Sequence, residues 1–122
     1  MPTNSRTPLL TAIAVGTVLQ VAMVVIGHSV PAVAARFALV GTLLSLVAGL
    51  LYGLLARAAP GPSAVGGAVA GAVCALLGVL VSLALGDVTA VVLAIATVSG
   101  LVAGAVGGAV ASFLGRRSAA VA

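Results

Sequence analysis

Four long apolar stretches, divided by short breaks, constrain this chain more than any other feature. The predicted helices cover residues 9–27, 31–56, 64–85 and 88–114, and none carries a charged side chain near its middle. A helix needs about 20 mostly apolar residues to cross the hydrocarbon core of a bilayer. The sequence therefore predicts an all-α integral membrane bundle of four transmembrane helices with short loops. Its 122 residues suit a single domain.

The composition indicates that the outer surface of the folded chain faces lipid. Hydrophobic residues make up 63% of the chain and charged residues 5%, whereas soluble domains carry about 25% charged residues. So few charges cannot cover a surface that faces water, which excludes a soluble domain. Disordered chains need high charge and low hydropathy, so a disordered chain is excluded as well. The expected partner is the lipid bilayer. The net charge of +4 is expected to set orientation, and no nucleic acid partner is expected.

The breaks contain residues that are typical of turns and helix ends. Gly27-His28-Ser29 is expected to close the first helix. Pro60-Gly61-Pro62 is expected to form a loop, because proline interrupts helices. Ser63 is placed to cap the third helix, and Asp87 is placed to cap the fourth.

The arginines predict the orientation of the bundle. With four spans, both termini and the Pro60 loop share one side of the membrane, which is the side of Arg6, Arg57, Arg116 and Arg117. Only Arg36 is expected on the opposite side. Cytoplasmic loops carry an excess of Lys and Arg, so both termini are predicted to be cytoplasmic.

The first segment has an alternative interpretation. Arg6, the apolar stretch after it and the small residues 30–34 resemble a signal peptide with a cleavage site. The apolar stretch is longer than the usual core of a signal peptide, which favours a retained helix. Cleavage would leave the other three spans in the same orientation.

Small residues recur every four positions along three predicted helices. The rows are Gly41, Ser45, Gly49 and Gly53 in the second helix, Gly67 and Gly71 in the third, and Gly100, Gly104 and Gly108 in the fourth, with Gly107 in a parallel row. This spacing places small residues on one helix face, where backbones can approach closely in lipid. The rows therefore predict helix-packing surfaces. The second row of the fourth helix also favours a contact with another subunit.

Few polar groups lie inside the predicted spans. Gln20 lies deep in the first helix, where it is expected to form an interhelical hydrogen bond or to line a polar path. The Thr and Ser hydroxyls can bond to their own backbone, and Cys74 is expected to be a small buried hydrophobe. His28 and Asp87 occupy corresponding turns and are expected to approach each other, as a pair that senses pH or binds a metal weakly.

These residues exclude several classes of protein. Two ligands are too few for a metal site, and the chain lacks a nucleophile, base and orienting group in combination, so neither an enzyme nor a cofactor is expected. Proton-coupled antiporters of the small multidrug type and rotor-ring subunits need a carboxylate inside the membrane, which is absent from the predicted spans. The aromatic residues Phe37, Tyr52 and Phe113 lie near predicted helix ends and are expected to anchor the chain at the membrane interface.

The closing glycine-rich helix, residues 99–108, reads Ser-Gly-Leu-Val-Ala-Gly-Ala-Val-Gly-Gly. It resembles the helices of small, uncharacterised bacterial four-span membrane proteins with glycine zippers. That resemblance implies a location in the bacterial inner membrane and no known catalysis. The size and layout are also similar to the small accessory protein encoded with bacterial ATP synthases, which assists rotor assembly.

Three functional hypotheses follow from the sequence. The first is a structural or accessory subunit whose glycine faces bind a second copy or a larger membrane complex. The second is an oligomeric passive channel or transporter for a small solute, with Gln20 and the Thr and Ser hydroxyls along its path. The third is a phage holin.

Overall fold

The chain folds into four long helices and one single-turn helix in the residues that the computed structural model describes, which are 6–34, 36–57 and 59–121. Side chains are described for residues 7–32, 36, 39–57 and 59–114. The helices are α1 (Arg6–Ser29), α2 (Pro31–Ala34), α3 (Phe37–Ala56), α4 (Pro60–Ala84) and α5 (Ala90–Val121).

Four of these helices contain a segment long and apolar enough to cross a membrane. The segments are Thr7–Ser29, Leu39–Ala56, Pro60–Ala84 and Ala90–Leu114. The all-helical, multi-pass architecture predicted from the sequence is therefore confirmed. The side chains of Arg6, Arg116 and Arg117, on which the predicted orientation depends, lie outside the described side chains.

Pro60-Gly61-Pro62 forms the first turn of α4, so the predicted loop at these residues is wrong. Pro60 follows Ala59, whose extended backbone (φ −62°, ψ 161°) suits a residue before proline. The first N–H groups of a helix lack an intrahelical acceptor, so prolines there remove no hydrogen bond. The N–H of Ser63 already donates to the carbonyl of Ala59 at 2.9 Å. Ser63 is therefore a buried helical residue, not the N-cap.

The predicted helix 31–56 is divided into α2 and α3. Arg36 lies before α3 with φ −114° and ψ 15°, and its carbonyl accepts the N–H of Val40 at 2.9 Å. At the other end of α3, the backbone of Arg57 turns into the left-handed region at φ 51°. The N–H of Arg57 donates to the carbonyl of Gly53 at 3.2 Å, which closes the helix.

α5 differs from its prediction at both ends. It begins at Ala90 and continues through Arg116 and Arg117 to Val121, whereas the arginines were expected to follow its end. Near the start, the N–H of Val92 donates to the carbonyl of Thr89 at 3.1 Å. Asp87 lies outside the helix and does not cap it.

The long helices form a bundle in which α1 and α5 lie on opposite sides of α3 and α4. α5 packs on α3 and α4, and α1 packs on the same two helices. The glycine contacts show that α1 is parallel to α4, that α3 is parallel to α5, and that the remaining pairs are antiparallel. One end of the bundle therefore holds Arg57 and the other holds His28. We name them the Arg57 end and the His28 end.

Glycines bring the backbones of α3, α4 and α5 into contact in the half nearer the Arg57 end. A Cβ on Gly104 would overlap the carbonyl oxygen of Gly67, and a Cβ on Gly49 would overlap that of Gly104. Any side chain at these positions would push the helices apart. Comparable overlaps occur at Gly53, Gly67, Gly71, Gly100 and Gly108. Gly41 differs, because a Cβ there would lie 3.5 Å from Oε1 of Gln20, an ordinary contact distance.

The second row of small residues on α5, which contains Ala103, Gly107 and Ala111, also faces a helix of the same chain. A Cβ on Gly107 would overlap the carbonyl oxygen of Leu46 on α3 and lie 2.7 Å from the amide nitrogen of Leu50. Ala103 and Ala111 of this row are buried. Within the described side chains, both rows of α5 are therefore covered by α3 and α4. The second row does not need a partner subunit to explain it.

Tyr52 is a core residue, so its predicted role as an interfacial anchor is wrong. Its side chain is 7% exposed and packs with Ala12 and Ala70. A Cβ on Gly66 would overlap its ring, which shows that glycine makes room for the aromatic side chain. Phe113 is exposed, and the side chain of Phe37 lies outside the described part.

We expect Gly104→Ala to lower the free energy of unfolding by about 1–3 kcal/mol, because the added methyl overpacks the contact between α4 and α5. The matched control is Gly61→Ala, where a Cβ meets nothing within 4 Å. Alanine is also the better helix former, by up to about 1 kcal/mol. Reversible unfolding in mixed micelles measures the free energy of unfolding of both variants. Equal stability of the two would contradict the proposed importance of the backbone contact.

Candidate functional site

A cavity of about 260 Å³ lies between the four long helices in the half nearer the His28 end. Ligand pockets are typically about 300–1,000 Å³, and an engineered cavity of about 150 Å³ binds benzene. The cavity is therefore large enough for a small molecule. Its apolar wall includes Met23, Val24, Val79, Val88, Val92 and Ile95, and its polar groups belong to Gln20, Thr42, Ser45, Ser82 and Ser99.

The cavity begins where the glycine row of α5 ends. Towards the start of α5, the four-residue spacing continues from Gly104 and Gly100 to Ala96 and Val92. Gly100 still packs against Gly71, since a Cβ there would lie 2.6 Å from the carbonyl oxygen of Gly71. Ala96 and Val92 carry side chains in place of glycine, and both line the cavity.

A hydrogen-bond network centred on Gln20 forms the floor of the cavity. Nε2 of Gln20 donates to the carbonyl of Gly41 at 3.0 Å and to Oγ of Ser45 at 3.1 Å. Oγ of Ser45 donates in turn to the carbonyl of Gly71 at 3.4 Å, and Sγ of Cys74 lies 3.4 Å from the same carbonyl. Gln20 and Ser45 are almost fully buried. The network therefore links α1, α3 and α4 inside the membrane span.

Ser82, a residue beside the cavity, carries a buried hydroxyl without a hydrogen-bond partner among the described residues. It is 1% exposed, and its Oγ has no hydrogen-bond partner in the part of the chain that the structure describes. Leaving a buried polar group unpaired costs about 1–3 kcal/mol. Thr97 shows the usual solution, because its Oγ1 donates to the carbonyl of Leu93 at 2.8 Å. Ser82 was expected to bond its own backbone in the same way and does not.

The exposed part of the cavity lining lies on α3 and α5. Of the residues that line it, Thr42 on α3 and Val92 and Ile95 on α5 remain exposed. All three lie inside the segments that are apolar enough to cross a membrane. Within those segments they lie towards the His28 end.

The turn between α4 and α5 brings Asp87 to His28. Gly86 adopts φ +80°, which glycine reaches without steric cost. The N–H of Gly86 donates to the carbonyl of Leu83, and that of Asp87 donates to the carbonyl of Ser82, both at 3.0 Å. These two bonds are the Schellman arrangement of a helix end. The arrangement directs Asp87 back towards α1.

His28 and Asp87 are in direct contact at the His28 end. Nδ1 of His28 lies 2.9 Å and 3.0 Å from the two carboxylate oxygens of Asp87. The contact is a hydrogen bond when the imidazole is neutral and an ion pair when it is protonated. Their side chains are 47% and 25% exposed, and exposed ion pairs contribute about 0–1 kcal/mol. The pair ties the end of α1 to the turn beside Val88, which lines the cavity.

Comparisons with protein-family models, with curated proteins and with solved structures find no match to this chain. The site must therefore be interpreted from its own chemistry. None of the described residues that line the cavity carries a charged side chain. Among the described residues, no group of three His, Cys, Asp or Glu side chains is close enough to hold a metal ion. The arrangement can bind an uncharged molecule by contact and hydrogen bonding.

Sequence reasoning singled out only part of this site. It identified Gln20, and it placed Gly41 and Ser45 in a packing row, whereas the structure joins all three in one network. It did not distinguish Ser82 from the other hydroxyls. One signal was available, because Gly78 and Ser82 follow Gly71 at seven and eleven residues, the spacing of one helix face.

We expect Gln20→Leu to lower the free energy of unfolding by about 1–2 kcal/mol, because interhelical hydrogen bonds in membranes contribute about 0.6 kcal/mol on average and up to about 1.7 kcal/mol. The matched control is Thr17→Val in the same helix. Oγ1 of Thr17 has no hydrogen-bond partner in the described part of the chain, so its loss should leave stability unchanged. Unfolding in mixed micelles measures both. A larger loss of unfolding free energy in Thr17→Val than in Gln20→Leu would contradict the stabilising role of the Gln20 network.

Proposed function

We propose that this protein is an accessory protein of the bacterial inner membrane that binds a small molecule dissolved in the lipid. The exposed cavity lining on α3 and α5 is the observation that carries the proposal. Thr42, Val92 and Ile95 border the cavity, remain exposed and lie inside the membrane-spanning segments. A molecule that enters there comes from the bilayer.

The closed floor favours binding over free passage. Beyond Gln20 and Ser45, the half nearer the Arg57 end is packed through glycine backbones, including those of Gly67 and Gly104. A solute that enters the cavity meets this packing and stops. The protein therefore holds its ligand and makes it available to a larger membrane complex.

A passive channel or transporter is the second candidate. The observation that favours it is that five residues with polar side chains border one space, namely Gln20, Thr42, Ser45, Ser82 and Ser99. Passage would require α5 to separate from α3 and α4 in the half nearer the Arg57 end, or a path between copies of the chain. Either route breaks or bypasses the glycine contacts. Flux through liposomes that Gln20→Leu reduces would support this candidate over the first.

We propose that the Arg57 end faces the cytoplasm. The order of the helices assigns four arginines to the Arg57 end, namely Arg6, Arg57, Arg116 and Arg117, and assigns Arg36 to the His28 end. The excess of arginine follows the bias of cytoplasmic loops. The cavity then opens into the outer leaflet, and the pair of His28 and Asp87 lies at the outer surface.

Cysteine labelling in intact cells tests this orientation. Cys74 is buried, so the parent protein should remain unlabelled by a membrane-impermeant maleimide. We expect Ser29→Cys, at the His28 end, to be labelled in intact bacterial cells. Gly61→Cys, at the Arg57 end, should be labelled only after the membrane is opened. The reverse pattern would place both termini outside.

Native mass spectrometry of the protein released from native membranes tests the binding proposal. We expect a discrete added mass on the parent protein and its loss in Ala96→Phe, because Ala96 lines the cavity and a phenyl ring would fill the space. The matched control is Ala94→Phe, where the same change occurs at an exposed position of α5 outside the lining. Identical spectra of parent and Ala96→Phe would overturn the binding proposal. The same spectra report any homo-oligomer or larger complex.

A further inference from the structure

We propose that the cavity selects uncharged molecules that combine an apolar body with one O–H or N–H group, and that this group donates a hydrogen bond to Oε1 of Gln20. The inference rests on the proposed binding function and adds the class of ligand and the residue that recognises it. It follows from an amide oxygen that accepts no hydrogen bond from the described residues, on a side chain that is 3% exposed and lines the cavity.

The amide of Gln20 is held in one orientation through its nitrogen. Nε2 donates to the carbonyl of Gly41 at 3.0 Å and to Oγ of Ser45 at 3.1 Å. A backbone carbonyl only accepts hydrogen bonds, so the nitrogen of the amide, and not its oxygen, has to serve Gly41. Rotation of the amide would break both bonds. The position of Oε1 is therefore fixed by the protein.

The oxygen of this amide lies where no side chain covers it on α3 or α4. Every hydrogen bond of Gln20 among the described residues starts from Nε2. Oε1 lies 3.5 Å from the positions that a Cβ would occupy on Gly41 of α3 and on Gly78 of α4. Both residues are glycines, which leaves the oxygen uncovered at these two positions. An amide oxygen only accepts hydrogen bonds, so its missing partner is a donor.

Oε1 of Gln20 also remains in contact with the cavity. Among the described residues, the unpaired polar atoms that are closed off from any open space are Oγ1 of Thr17 and Oγ of Ser82. Oε1 is unpaired but is not one of these closed atoms, and Gln20 lines the cavity. A donor in the cavity therefore reaches Oε1 without displacing a hydrogen bond of the protein.

The hydroxyl of Ser99, another residue of the lining, differs from this oxygen in its freedom. A serine inside a helix can rotate its hydroxyl towards the carbonyl four residues earlier. Thr97 uses the same arrangement, because its Oγ1 donates to the carbonyl of Leu93 at 2.8 Å. Oε1 of Gln20 cannot donate, and its amide cannot rotate without breaking two bonds. Gln20 is therefore the fixed recognition group, and Ser99 is tested beside it.

The lining favours a neutral donor. None of the described residues that line the cavity carries a charged side chain. Burying a charge without an opposite charge costs far more than burying a neutral polar group that is hydrogen-bonded. An alcohol, a phenol or an uncharged N–H group satisfies the amide oxygen, whereas a ketone or an ether has no hydrogen to donate. The ligand class is therefore a neutral donor with an apolar body.

The volume limits the size of the ligand. A cavity of about 150 Å³ holds benzene, with six non-hydrogen atoms, so the cavity of about 260 Å³ suits a molecule of about ten non-hydrogen atoms by the same ratio. A single ring with short alkyl substituents meets this limit. The branched side chains of Val79, Val92 and Ile95 provide its apolar surroundings.

Two probes of the same size and shape test the proposal. In 4-isopropylphenol the ring carries a hydroxyl where p-cymene carries a methyl group. Gln20 is the only glutamine of the chain, so cell-free synthesis with glutamine labelled at the amide carbon gives one carbonyl NMR signal. This signal moves downfield when Oε1 accepts a hydrogen bond. Methyl-labelled Met23, which lines the cavity, reports occupancy in the same full-length protein in lipid nanodiscs.

We expect both probes to shift the Met23 signal, and only 4-isopropylphenol to move the Gln20 carbonyl signal downfield. Gln20→Leu should lower the ratio of phenol affinity to p-cymene affinity about three- to tenfold, the value of one neutral hydrogen bond. The ratio cancels general effects of the substitution on the cavity. Thr17→Val, which removes a hydroxyl outside this cavity, should leave the ratio unchanged. The anion of 4-isopropylbenzoic acid should not shift Met23.

The carbonyl signal is measured in the parent protein, so the test does not depend on the folding of Gln20→Leu. Occupancy by the phenol with no more carbonyl shift than p-cymene causes would overturn the recognition role of Gln20 while the binding function survives. A ratio that falls in Ser99→Ala and not in Gln20→Leu would overturn it as well. Binding of the carboxylate would overturn the restriction to uncharged ligands.

The mass measurement separates this inference from the binding function. Failure of every probe to shift Met23, in a protein that still carries an added mass sensitive to Ala96→Phe, would overturn the ligand class alone. Failure of every probe together with the absence of such an added mass would overturn the binding function itself.

Discussion

Direct contact between glycine backbones is the interaction on which the rest of this bundle depends. Lipid tails are as apolar as the helix surfaces, so the hydrophobic effect does not drive the helices together and van der Waals contact has to. Gly104 meets Gly67 and Gly71 of α4 on one face, and Gly107 meets α3 on the adjacent face. These contacts join α3, α4 and α5, and α1 packs against α3 and α4 on the opposite side.

The cavity lies in the half of the bundle where the glycine row of α5 has ended. Where Ala96 and Val92 follow Gly100 on α5, side chains replace the glycines, and a cavity lies between the helices. The network of Gln20 and Ser45 separates the two regions. One half of the bundle is thus held by backbone contact, and the other half contains the cavity.

Local rules of helix capping explain the ends of the helices once their context is known. Prolines mark a break in most sequences, yet the first turn of α4 accepts Pro60 and Pro62 because no hydrogen bond is lost there. Gly86 ends α4 in a Schellman arrangement that carries Asp87 to His28. Asp87 therefore binds a histidine from α1, although its position in the sequence suits an N-cap equally well.

The sequence by itself determined that the chain is helical and crosses a membrane about four times, because span length and the absence of charge are local properties of each segment. It also located the glycine rows and Gln20. Only the tertiary structure decided which surfaces meet. A four-residue spacing suits any neighbour, so nothing in the sequence showed that the Gly107 row faces α3 or that Tyr52 is buried over Gly66. The sequence also did not show that the Ser82 hydroxyl lacks a hydrogen-bond partner among the described residues. Pairing of a hydroxyl depends on the atoms within about 3.5 Å, and the packing of the helices decides which atoms these are.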